Sequence, residues 1–208
     1  MLYLIHGING YEGAWQERGD ATDSLEKLIA ETRCEPVIFV MPDCDLWPLK
    51  QGENFQGNIW RCLFHYGELS HEHIIEYALS DLMDMIDSTY STSTNCAVAG
   101  LSDGARMSAN IANLRPDRIR HVGLFSPVVR KEQLPKDTTQ IISIFAGKND
   151  MFFHNADHLN RRLNKTSQPH QFIVLNGCHN WKMWRRCLSR FLELWAGDPN
   201  SRSDSEHR

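Results

Sequence analysis

The chain has 208 residues, enough for one domain around one core, and its 41% hydrophobic and 23% charged residues are an ordinary globular composition. With 22 basic against 26 acidic side chains and a net charge of −4, it lacks the concentrated positive charge that phosphate binding needs, which argues against nucleic acid as a partner. No apolar run approaches the roughly 20 residues that span a bilayer. Met1 leads straight into Leu2-Tyr3-Leu4-Ile5, which reads as a strand rather than a leader, so no membrane association and a cytoplasmic location are expected.

Apolar runs of four to seven residues alternate with segments of helical period, the βαβα rhythm of an α/β fold with a mostly parallel sheet. The first strand is predicted at Leu2–Ile5. A helix follows over about Asp23–Arg33, where Asp23 and Glu26 form a capping-box-like pair, and then a second strand at Pro36–Met41. Residues 43–69 break the rhythm. This polar-aromatic connection holds Trp47, Phe55, Trp60 and Phe64, and a segment that long inside a compact domain is expected to shape a pocket.

The rhythm resumes with a helix over about His71–Asp87, whose Ile75, Ala78, Leu79, Leu82 and Ile86 make one apolar stripe. A strand at Cys96–Ala99 runs into a helix after Ser102, which must stop near Arg115 because Pro116 disfavours helical geometry in the residue before it. Strands at His121–Phe125, Ile141–Phe145 and Gln171–Leu175 follow. The last helix spans about Asn180–Trp195, with Trp181, Trp184, Leu188, Leu192 and Trp195 at helical spacing. The expected architecture is a central sheet of about six strands with helices on both faces, since several strands are apolar throughout. One domain over residues 1–196 would end in a disordered, charged and Ser-rich tail over 197–208.

Gly100-Leu101-Ser102-Asp103-Gly104 carries the chemistry. It matches G-x-S-x-G between a strand and a helix, the context in which a strained turn lifts a serine Oγ above a sheet. A serine hydroxyl is a weak nucleophile; it needs a base, and the base needs an orienting group. Asp150 lies just past the strand Ile141–Phe145, and His179 just past Gln171–Leu175, so both reach the sheet edge that holds Ser102. The order serine, acid, histidine is that of α/β-hydrolases. Asp157 is the reserve acid. An oxyanion hole would take backbone N–H groups from Asp103 and, in the loop His6-Gly7-Ile8-Asn9-Gly10, from Ile8. The Asp103 carboxylate would oppose an oxyanion unless it turns away, towards Arg106. His6, Trp47, Trp60 and Trp181 are candidate substrate contacts.

The six cysteines are scattered without a CxxC pair and read as free thiols, so no metal site is expected from them. His154 and His158, four residues apart, could share a metal, but exposed histidines on a helix are the simpler reading.

At these positions the chain resembles the esterase family of the α/β-hydrolase superfamily that contains esterase D (S-formylglutathione hydrolase), feruloyl esterases and enterochelin esterases. The matching stretches are Leu2–Gly7, Val40-Met41-Pro42-Asp43, the elbow Gly100–Gly104, Gly147-Lys148-Asn149-Asp150, and Gly177-Cys178-His179-Asn180-Trp181 with Trp184. The resemblance implies hydrolysis of a small-molecule carboxylic ester or thioester through an acyl-enzyme, with no cofactor. The family usually carries two further strands ahead of the His-Gly loop, so either this sheet is reduced to six strands or the chain starts upstream. Acyl transfer or peptide hydrolysis by the same three residues, and a non-catalytic small-molecule-binding role for the fold, stay open.

Overall fold

The computed structural model describes residues 1–44, 71–90 and 96–197, with side chains from residue 75 onward in the middle segment. Among the described residues six strands, β1 (Leu2–Ile5), β2 (Phe39–Val40), β3 (Cys96–Leu101), β4 (Ile119–Phe125), β5 (Ile141–Gly147) and β6 (His170–Leu175), form one sheet in the order β2-β1-β3-β4-β5-β6. Every neighbouring pair is parallel. Parallel neighbours need crossover connections. Among the described residues the helices are α1 (Ala14–Glu17), α2 (Ala21–Ala30), α3 (His71–Thr89), α4 (Asp103–Leu114), α5 (Phe153–Leu163) and α6 (Trp181–Ala196), with a 3₁₀ turn at Lys131–Gln133.

Because side chains alternate across a strand, one apolar run feeds two cores. Tyr3, Ile5, Val98, Val122, Leu124, Ile142 and Ile144 pack with residues of α3, α4 and α5. Leu2, Leu4, Ala97, Ala99, Phe125 and Phe145 pack with Trp15, α2 and the α6 stripe of Trp184, Leu188, Leu192 and Trp195. The expected sheet with helices on both faces is therefore present, and its unbroken apolar strands are explained by burial on both sides.

The second strand and the helix before it differ from expectation. The second strand is two residues long instead of six: Pro36 has no N–H to give, and only Phe39 and Val40 pair with β1, at the sheet's margin. Helix α2 begins at Ala21 rather than Asp23. Asp20 takes a left-handed φ of 47° that reverses the chain after α1, and its carboxylate goes to Arg185 of α6 at 2.7 Å rather than to a cap. The helix also stops early. Thr32 adopts φ 56° and the Arg33 N–H donates to Leu28 O at 2.8 Å, the closure of a left-handed C-terminal cap.

Among the described residues no helix is long and apolar enough to cross a membrane. Among the described residues, Cys34, Cys178 and Cys187 are free thiols. Apart from Asp43 and Cys44, the 43–69 connection with Trp47 and Trp60 lies outside the described residues, as do residues 198–208 of the tail.

Candidate active site

Ser102 is the single residue between β3 and α4. Its φ of 54° and ψ of −116° lie where residues other than glycine rarely go. The turn is held by its N–H, which donates to Phe125 O at 2.8 Å. The flanking glycines answer to crowding. A Cβ on Gly100 would come within 2.2 Å of Gly104 O, and one on Gly104 within 2.2 Å of His6 O. The start of α4 thus lies against the end of β1, and the serine projects from the carboxyl edge of the sheet.

The loops after β5 and β6 are bound to each other before they present side chains. Lys148 N–H donates to Leu175 O at 2.8 Å and Asn149 N–H to Gly177 O at 3.0 Å. From them come Asp150 and His179. The His179 Nε2 lies 3.1 Å from Ser102 Oγ, and its Nδ1 lies 3.1 and 3.2 Å from the two Asp150 oxygens. With Nδ1–H donating to the carboxylate, Nε2 is left to accept the serine proton. The imidazole is gripped edge-on by Phe152 (5.0 Å between centroids) and Trp184 (4.9 Å). Asn180 fixes the head of α6 by accepting from Met183 N–H at 3.1 Å.

Asp150 has a side chain only 1% exposed. Burial alone would raise its carboxyl, but hydrogen bonds from His179, Ser126 and the Phe152 N–H outweigh that and hold it below the usual carboxylate range. Ser126 and Phe152 escaped the sequence reading. The signal for Ser126 was its place at the carboxyl end of β4, beside the elbow, where polar residues build sites in such sheets.

The loop after β1 lies against the elbow, since a Cβ on Gly7 would stand 3.3 Å from Ser102 Cβ. It folds as a turn, with Gly10 N–H donating to Gly7 O at 3.0 Å and Asn9 at φ 61°, so the turn's own bond does not use the Ile8 N–H. Asp103 is the first residue of α4, whose leading N–H groups have no partner within the helix and carry its positive dipole end. Its carboxylate does turn to Arg106, with Nε–Oδ1 at 2.8 Å and a second contact at 3.2 Å, both side chains buried.

Removing one partner of that buried pair strands the other charge. Arg106→Met is expected to cost about 3–5 kcal/mol, roughly a 10 °C fall in Tm for a chain of this size. The double substitution Asp103→Asn/Arg106→Met should recover most of it. Thermal melts decide the matter: a single variant as stable as the parent would mean the pair is not holding the helix start.

His6, expected to touch substrate, is instead buried inside the protein. Its Nδ1 contacts Gly7 O at 2.8 Å, and its Nε2 accepts from Cys44 N–H at 2.9 Å with Asp43 Oδ1 at 3.3 Å, so it ties the first loop to the start of the long connection. Trp181 packs edge-on against Trp15 and Trp184 with Arg18 over its ring. These contacts make it a support for Trp184. Asp157 pairs with Arg161 one turn along α5 at 2.6 Å and does not serve His179. His154 and His158 are exposed, and among the described residues no cluster of side chains could hold a metal.

Residues 1–193 match the family described as "Putative esterase". Over 200 residues the chain is 28% identical to an endo-1,4-beta-xylanase/feruloyl esterase of Xylanibacter ruminicola, covering 93% of this chain but 26% of that protein; the chain spans about a quarter of its relative. The CE1 ferulic acid esterase of the anaerobic fungus Anaeromyces mucronatus superposes with a TM-score of 0.72 at 22% identity, over 92% of this chain and 76% of that one. The S-formylglutathione hydrolase of Staphylococcus aureus gives 0.65 at 16% identity, over 93% and 80%.

Proposed function

The chain belongs to the "Putative esterase" family of α/β-hydrolase fold, and from that membership we propose that it is a serine ester hydrolase in which Ser102 attacks, His179 is the general base and Asp150 orients the histidine. The observation that carries this reading is one imidazole bridging the other two side chains, 3.1 Å from Ser102 Oγ on one side and 3.1 Å from Asp150 on the other. Ser102 Oγ bonds to the ester carbonyl carbon while its proton passes to His179 Nε2. The same proton then goes to the departing alcohol as the C–O bond breaks, leaving the acyl group on Ser102. Water, deprotonated by His179, repeats the sequence and releases the acid. Asp150 stays ionised throughout and stabilises the imidazolium. Backbone N–H groups of Asp103 and Ile8 receive the developing oxyanion, the first aided by the helix dipole.

The substrate class is a small acyl ester, with a hydroxycinnamoyl (feruloyl-type) ester as the specific reading, by analogy with the relatives' names; Trp47 and Trp60 remain the proposed aryl contacts. The test is a fluorophosphonate probe followed by peptide mass analysis, beside turnover of a feruloyl ester, p-nitrophenyl acetate and an acyl thioester. One adduct, on Ser102, and preferential cleavage of the feruloyl ester are expected. A folded protein that takes no adduct at Ser102 would point to a binding module instead.

A further inference from the structure

We propose that Ser126 is a positioning residue, whose hydroxyl, oriented by the indole of Trp184, holds the Asp150 carboxylate in line with His179; this rests on the assignment of Asp150 and His179 above. The direction of the hydrogen bonds follows from the donor inventory. Trp184 Nε1–H can only donate, and Ser126 Oγ stands 3.0 Å from it. With a lone pair taken by the indole, the Ser126 proton is aimed at Asp150, to which the serine is hydrogen-bonded. A relay results: Trp184 N–H to Ser126 O–H to the Asp150 carboxylate. Every member is buried.

The backbone at Ser126 is bent to this end. Its φ is 49°, in the left-handed region, although it precedes Pro127, where an extended residue is the rule. Such a conformation persists only when its surroundings impose it. Here the Ser126 N–H donates to Phe145 O at 2.8 Å, carrying the β4–β5 pairing one residue past Phe125 and fixing where the side chain leaves the sheet. Trp184 meanwhile lays its ring edge-on against His179, 4.9 Å between centroids. One side chain of α6 therefore touches the base and, through Ser126, orients the acid. The titratable groups that bear on Asp150 are His179 from the loop after β6 and Cys187 from α6, whose buried thiol is pushed above the ordinary thiol range by desolvation and feels the Asp150 charge.

The test uses the full chain and three variants, Ser126→Ala, Ser126→Gly and Trp184→Phe, with kcat and KM for p-nitrophenyl acetate followed across pH. Ser126→Ala should lower kcat roughly 10-fold with KM unchanged. It should also move the acidic limb of kcat/KM to higher pH, because a carboxylate with one donor fewer holds the imidazolium more tightly. Ser126→Gly suits the positive φ and so keeps the backbone while losing the hydroxyl; the same kinetic change is expected from it. Trp184→Phe keeps a ring edge beside His179 but removes the N–H, and should give a smaller loss that adds nothing when combined with Ser126→Ala. Variants whose pH profiles superimpose on the parent would overturn the proposal, whether kcat is preserved or falls only with the fraction of enzyme that titrates with fluorophosphonate. Ser102→Ala, run alongside, separates the two levels. If it keeps turning over, the triad assignment itself fails; if it is inactive while the Ser126 variants match the parent, only the positioning role fails.

Discussion

Ser102→Ala is expected to lower kcat by on the order of 10³- to 10⁶-fold, with Tm little changed. In the proposed reaction the hydroxyl forms the bond to the acyl carbon, and it stands 3.1 Å from His179 Nε2. What rate survives would come from the backbone N–H groups and from binding, which still favour the transition state over water attack. The backbone should tolerate alanine nearly as well as serine, since the elbow's strain lies in φ 54° and ψ −116° and is set by Gly100, Gly104 and the bond to Phe125 O. Turnover of p-nitrophenyl acetate reads the effect directly. A variant as fast as the parent would remove Ser102 from the chemistry.

Asp150→Asn is expected to cost about 10⁴-fold in kcat near neutral pH. The argument is about tautomers. Asp150 accepts from the Phe152 N–H, from Ser126 and from His179. An asparagine whose oxygen keeps the first two partners must offer its NH₂ to His179 Nδ1. That nitrogen then becomes an acceptor, the ring proton moves to Nε2, and Nε2 can no longer take the proton of Ser102. Substrate binding should be nearly unchanged, so the loss falls on kcat and not on KM. A decrease of less than about tenfold would mean that His179 finds its tautomer without Asp150.

The parts of this site that could be read from the chain are those written in local spacing. The glycines around Ser102 answer to contacts within the elbow and with the adjacent end of β1, and Asp103–Arg106 is a pair three residues apart on one helix. Asp150 and His179 could be placed because each follows an apolar strand by a fixed short offset. Ser126 could not, since its meaning depends on Trp184 and Asp150, which arrive from two other elements. His6 misled for a related reason. A histidine beside a nucleophile suggests contact with substrate, and only the fold shows both its ring nitrogens engaged by Gly7, Cys44 and Asp43. The helix start at Ala21 was hidden by a backbone reversal at Asp20 that propensity does not register.

The position of β1 in the sheet also governs how the chain reaches its native state. Leu2–Ile5 borders β2 on one side and β3 on the other, and the β3 partners, Ala97 to Gly100, lie roughly 90 residues later, an interval of about 5–20 s at ordinary rates of translation. Until then a fully apolar strand emerging from the ribosome has an open edge, and the sheet cannot be sealed by local pairing alone. Aggregation during synthesis, and dependence on chaperones that cover that edge, should therefore respond to substitutions in Cys96–Leu101 more than to changes at β6.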